Sequence, residues 1–274
     1  MKTSNPVLSQ LGRAAERERA GAYGAYGPGG APGYGPAGYD QPYPSQAYPA
    51  APPAVRPMTI DDVVVRTVAL LAITALSAAA AWVLIPAPVA LPALIGAAVI
   101  GLVLGLVLSF MRMANPILIG VYAVAEGVFL GLVSRVYESL YDGIVLQATT
   151  ATFGVFFLMA ILYRARVIRA TPKFARIMIS IMVGLFAVMM INLVFALFGV
   201  NTGLRDGSPL AIGFSLVCIV VASLSFVLNF AEIEEGARMG LPQKYAWTAA
   251  FGILVGLVWL YLEILRLLSF LQDD

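Results

Sequence analysis

From Met58 onward the chain is a succession of apolar runs, each near the ~20 residues a helix needs to cross the hydrocarbon core of a bilayer. Seven can be read, over about 65–85, 90–111, 116–135, 143–163, 177–199, 209–230 and 245–270, with Pro86, Pro88, Pro92, Pro116, Pro172, Pro209 and Pro242 punctuating their ends. Lipid offers no partner to a bare peptide group, so the runs predict an all-α fold, a bundle of seven transmembrane helices. Composition agrees: hydrophobic residues are 60% of 274, charged residues 12%, and mean hydropathy is +0.87, too apolar for a soluble domain of this size. Lipid is therefore the first expected partner.

Residues 1–57 are a different material, rich in Tyr, Gly and Pro. Such a stretch cannot bury enough surface to offset its ordering entropy, which predicts a disordered tail. No apolar segment precedes it, so no cleavable signal peptide is expected. Of the 17 Lys and Arg, only Arg135, Arg205 and Arg266 fall on the side opposite the tail when connections are counted alternately. The positive-inside bias thus puts the amino terminus in the cytoplasm and, with seven spans, the carboxyl terminus outside.

Several chemistries are excluded by what is missing. With no histidine and one cysteine, Cys218, the chain cannot build a His-based triad, an ordinary zinc site or an internal disulfide. Lys2, Lys173 and Lys244 all lie outside the apolar runs, so a buried Schiff-base lysine is excluded too. A net charge of +2 without basic runs argues against nucleic acid. No enzyme activity and no cofactor are expected. Small residues recur at packing intervals, Ala97, Gly101, Gly105 and Ser109 on the second span and Gly120, Ala123, Gly127, Gly131 and Ser134 on the third, and serve close helix approach.

A few polar residues stand inside the apolar runs. Glu263 lies deep in the last one, where a carboxylate is expensive and marks an ion, proton or substrate pathway by default. Gly252, Gly256, Trp259, Glu263 and Arg266 fall at steps of 4, 3, 4 and 3, hence on one helical face. Arg266, one turn beyond, is placed to pair with Glu263, either as part of a functional site or as a structural ion pair near the membrane edge. Glu126 sits near the middle of the third span with no basic residue within a turn, suited to one interhelical hydrogen bond as a neutral acid or to a proton relay. Asn192, aligned with Gly184 and Gly199, is a candidate partner for it. The sixth span runs into Asn229, Glu232, Glu234 and Glu235, acids that would gather cations at a cytoplasmic mouth or simply solvate a helix end.

Glu126-Gly127 in the third span, the acids around Ile233 after the sixth, and Leu260-Tyr261-Leu262-Glu263-Ile264-Leu265 in the seventh resemble the Bax inhibitor-1 (transmembrane BAX inhibitor motif) family, in its bacterial YccA-like branch. The resemblance runs from about Thr59 to Leu271. It implies a seven-helix protein of a bacterial plasma membrane that leaks Ca2+ in a pH-dependent way, gated by two aspartates from the last two helices. It also implies roles in cell-death suppression for eukaryotic relatives and in membrane proteolysis for bacterial ones. Glu263 matches the seventh-helix acid, and the sixth-helix acid falls on Asn229, whose amide cannot share a proton with a carboxylate. Glu232 or Glu234 would then have to substitute, displacing the latch toward the cytoplasm.

Two functions follow as expectations. One is a cation leak channel or exchanger for Ca2+ or H+ in which Glu263 and Glu126 line a narrow path and the acids after Asn229 form its inner mouth. The other is a non-transporting interaction protein that binds a membrane protease or another membrane protein.

Overall fold

The computed structural model describes residues 56–111, 115–200, 203–204 and 207–272. The tail expected over residues 1–57 lies outside these, apart from Arg56 and Pro57, as do Arg112 and Arg205. The chain divides into two units, Met1–Pro57 and Met58–Asp274. The second is built of seven helices: α1 Ile60–Leu84, α2 Ala87–Phe110, α3 Pro116–Leu140, α4 Ile144–Arg164, α5 Pro172–Leu197, α6 Pro209–Arg238 and α7 Tyr245–Gln272. Each is long and apolar enough to span a membrane, and no strand occurs among the described residues. This is an all-α integral membrane protein.

The starts are chemically marked. Thr59 and Asp62 form a reciprocal capping box on α1, and α3, α5 and α6 each begin with proline behind the side-chain caps Asn115, Thr171 and Ser208. Two boundaries differ from the reading of the sequence. Pro92 does not end an element but lies inside α2, within its second turn, where one lost hydrogen bond is tolerated. The sixth helix continues to Arg238, carried past Gly236 by the good helix formers Glu and Ala, and ends before Gly240, whose φ is 65°. Glu232, Glu234 and Glu235 therefore ride on the last turns of a helix and not on a loop.

α7 is the central helix. In its most apolar window 61% of residues are buried, against 17% for α2 and α5, and it packs on α6, α1, α4 and α3. α2 leans on α3 and α5 on α6. The start of α1 is tied to the α6–α7 connection by Met58 N donating to Leu241 O at 2.7 Å, by Arg66 Nη1 to Gln243 O at 2.7 Å and by Gln243 Nε2 to Asp62 Oδ1 at 2.7 Å. This end is called proximal below, and the end holding the carboxyl terminus of α7 distal.

α1 and α3 come closest, and glycine is the reason. A Cβ on Gly127 would collide with Ser77 Oγ and the Thr74 carbonyl, and one on Gly131 with the backbone of Ala78. Backbone cannot move aside as a side-chain tip can. Gly131→Ala is expected to destabilise the bundle by about 1–3 kcal/mol, the usual range for overpacking. Gly120→Ala, whose Cβ meets nothing within 4 Å, should be neutral or slightly stabilising. Thermal unfolding of both variants in detergent checks this, and equal behaviour of the two would refute the close approach.

Candidate functional site

Glu263 is 1% exposed, on the face of α7 that meets α6. Its carboxylate accepts from Arg266 Nη1 at 3.1 Å through Oε2 and at 3.3 Å through Oε1. Ser215 Oγ of α6 donates to Oε2 at 3.5 Å, and the buried thiol of Cys218, one turn along α6, is within electrostatic range of both charges. Arg266 itself is 17% exposed in its side chain. It borders a void of about 10 Å³ together with Asn192, Leu204 and Phe214, at most the room of a single water. The charges are thus sealed between α5, α6 and α7, which meets the local requirement that intramembrane charge be paired and turned inward.

The α6–α7 seam leads proximally from this bridge. Trp259 Nε1 is buried with no hydrogen-bond partner among the described residues. One turn below it, Phe226 of α6 is fully buried and its ring lies 2.9 Å from where a Cβ on Gly256 would be. Only glycine leaves that ring its place. Another turn down, Asn229 Nδ2 donates to the carbonyl of Gly252 at 3.4 Å. Gly252 precedes Glu263 by eleven residues, about 16 Å of helix. Asn229 and Glu263 are therefore far apart on the same seam and do not face one another.

The other acids are also dispersed. Glu234 accepts from the Tyr163 hydroxyl of α4 at 2.7 Å and pairs with Arg238 at 3.1 Å, while Glu232 is exposed. No three Asp, Glu or Cys side chains converge among the described residues. Glu126 turns toward α2. Its Oε1 lies 2.8 Å from where a Cβ on Gly101 would be, and it is hydrogen-bonded to Tyr122, one turn earlier on α3. Asn192 is at the Arg266 void instead, so the two are not partners.

Depth can be read from two contacts between the parallel helices α3 and α7. Tyr122 meets Phe251 edge to face with centroids 5.0 Å apart, and Ser134 Oγ lies 2.7 Å from Tyr261 Oη. Glu126 is eight residues proximal to Ser134 and Glu263 two residues distal to Tyr261, so they differ by about 15 Å along the bundle. The structure brings together Glu263, Arg266, Asn192, Ser215 and Cys218. It leaves Glu126, Asn229, Glu232 and Glu234 elsewhere. Ser215 and Cys218 escaped the sequence reading because small residues on an apolar helix carry no sign of which neighbour they meet. Tyr122 could have been found, since it stands four residues before Glu126.

Removing one partner of a buried pair leaves the other charge uncompensated. Glu263→Gln is expected to destabilise by about 3 kcal/mol, the lower end for breaking such a pair because Arg266 keeps some exposure. The double variant Glu263→Gln/Arg266→Met should recover most of that loss. Unfolding midpoints in detergent test it, and additive losses in the double variant would show the bridge to be unimportant.

No curated protein matches the chain significantly. A family model does, that of Bax inhibitor 1 like proteins, over residues 5–273. With nearly the whole chain matched and the seven-helix bundle carrying a buried acid in its last helix, the protein belongs to the Bax inhibitor 1 like family.

Proposed function

We propose that the protein is a cation leak channel or exchanger for Ca2+ or H+, not an enzyme, and that the Glu263–Arg266 bridge holds it closed in the conformation described. The single observation that carries this is a carboxylate 1% exposed in the central helix and paired with a cation of its own helix. Burying such a pair is hard to justify on stability alone, since an apolar pair of equal volume is often as good or better.

The route in this reading follows the α6–α7 seam. Asn229 marks its proximal part, Glu234 and Glu235 its mouth, and Phe226 against Gly256 an apolar constriction of the kind that closes by dewetting. Glu126, turned toward α2, lies off that route and is left with Tyr122. The charge bias of the connections supports a cytoplasmic proximal end and an outer carboxyl terminus, and the membrane in this reading is a bacterial plasma membrane.

Protonation supplies the modulation. Glu263 faces Arg266 on its own helix and Ser215 and Cys218 on α6, while Asn192 of α5 borders Arg266. Among the described residues of that set, Arg266 carries the permanent charge. A proton on Glu263 removes the attraction that seats Arg266, so flux rises as pH falls and is smallest when the pair is fully ionised. A second reading, a non-transporting protein that holds a membrane protease or similar partner, is favoured by the peripheral helices α2 and α5, each packed mainly on one neighbour.

Reconstitution decides between them. Proteoliposomes loaded with Ca2+- or proton-sensitive dye should show flux that grows as pH is lowered from about 8, because protonation of Glu263 breaks its pair with Arg266. Glu263→Gln/Arg266→Gln should raise flux at the upper pH about tenfold, the equivalent of ~1.4 kcal/mol of latch energy, and flatten the pH profile. Monodisperse wild-type protein that conducts nothing at any pH would defeat the channel reading and leave the second.

A further inference from the structure

A cavity elsewhere in the bundle contains none of the acids discussed above. It is a groove of about 450 Å³ whose walls are α1 and α4 and whose floor is α3 and α7. On α7 it uses Leu254, Leu257, Val258 and Tyr261. Glu263, two residues beyond Tyr261, points some 200° around the helix from it. The groove is therefore separate from the ion-pair seam, and the inference drawn from it does not rest on the channel reading.

Four features define what would fit. Its lining holds no charged residue, so an ion or a polar solute has nothing to pair with. Its rim residues Ala75, Ala79, Val83 and Phe153 are exposed, so it opens sideways from a membrane-spanning bundle, where the surrounding phase is lipid. On α1 the lining runs from Leu71 to Val83, twelve residues or about 18 Å along the helix. One leaflet of hydrocarbon is about 15 Å deep, half of a ~30 Å core. The groove begins at the middle of α1 and ends at its distal terminus, the extent of one leaflet and no more.

The distal end has the marks of an interface. Trp82 lines it, an aromatic that favours the headgroup level. Beside it the Arg135 guanidinium donates through Nη1 to the carbonyls of Ile85 at 2.8 Å and Trp82 at 3.4 Å. One nitrogen holds the cation at the mouth, and a guanidinium has further N–H groups for an anion. Within the groove the hydroxyls of Ser134 and Thr149 satisfy Tyr261, so the walls present little unmet polarity.

We propose that this groove binds one acyl chain of a phospholipid from the distal leaflet, with the lipid phosphate drawn to Arg135. A chain of leaflet length fills the groove, and a phosphate headgroup places an anion at the level of Arg135 while doing so. A lipid held there bears on α1, α4 and α7 together, and its loss would loosen α4 against α1.

The test uses the whole protein in nanodiscs of phosphatidylcholine and phosphatidylglycerol, doped with a phospholipid carrying a diazirine in its acyl chain. After irradiation, adducts mapped by mass spectrometry should concentrate on the floor residues Leu130, Leu257 and Val258 above the level on Ile191 of the lipid-exposed α5. Ala75→Phe/Ala79→Trp fills the groove from exposed positions. It should lower floor labelling several-fold and leave Ile191 unchanged. Should that variant not remain monodisperse, Ala79→Leu alone serves. A diazirine-bearing fatty alcohol, which lacks phosphate, should label the floor less than the phospholipid, and Arg135→Gln should abolish that difference. Floor labelling no greater than at Ile191, insensitivity to filling, equal labelling by the alcohol, or protein-to-protein adducts on the floor would each overturn the proposal.

Discussion

Hydrocarbon neither hydrogen-bonds a peptide group nor drives one apolar surface against another, and both facts shape this bundle. The first forces every span to be helical. The second means that helices attract only through close packing and the few polar contacts available. The glycines of α3 are consequently not incidental. Gly127 and Gly131 let the backbone of α1 approach where any side chain would collide, and Gly256 does the same for the ring of Phe226 on α6. α7, central and largely buried, contributes to both apolar cores of the bundle, while α2 and α5 remain at the margin.

Against that background the Glu263–Arg266 bridge is the most demanding element in the protein. Two charges removed from water are stable only as a pair, and the pair is closed by Ser215 from α6 and bordered by Asn192 from α5. It therefore couples three helices through one protonation state. That is a property a purely apolar contact cannot have, because burying Leu against Leu responds to no ion concentration. In the proposed function, that ionised carboxylate is what keeps the seam tight and the leak controlled.

α7 also separates two environments by simple geometry. One side carries glycines, Trp259 and the acid against α6. The other presents Leu254, Leu257 and Tyr261 to a groove open toward lipid. Under the two proposals the same helix meets an ion on one face and a lipid chain on the other, which would let membrane composition bear on the seam without any contact between the two sites.

Residue order alone determined a good deal. Run length and hydropathy dictated seven spans, proline and capping residues marked most of their starts, and a step of three placed Arg266 beside Glu263, because helical periodicity is local and needs no neighbour. What one helix turns toward another is not local. Glu126 and Glu263 looked like members of one path since each is an acid in an apolar run, yet about 15 Å of depth and two different partner helices divide them. Asn229 aligned with an expected acid, but its level on the seam is that of Gly252. The groove between α1 and α4 left no trace in the sequence at all, because a void is made by helices that fail to meet, and only their packing around α7 decides where that happens.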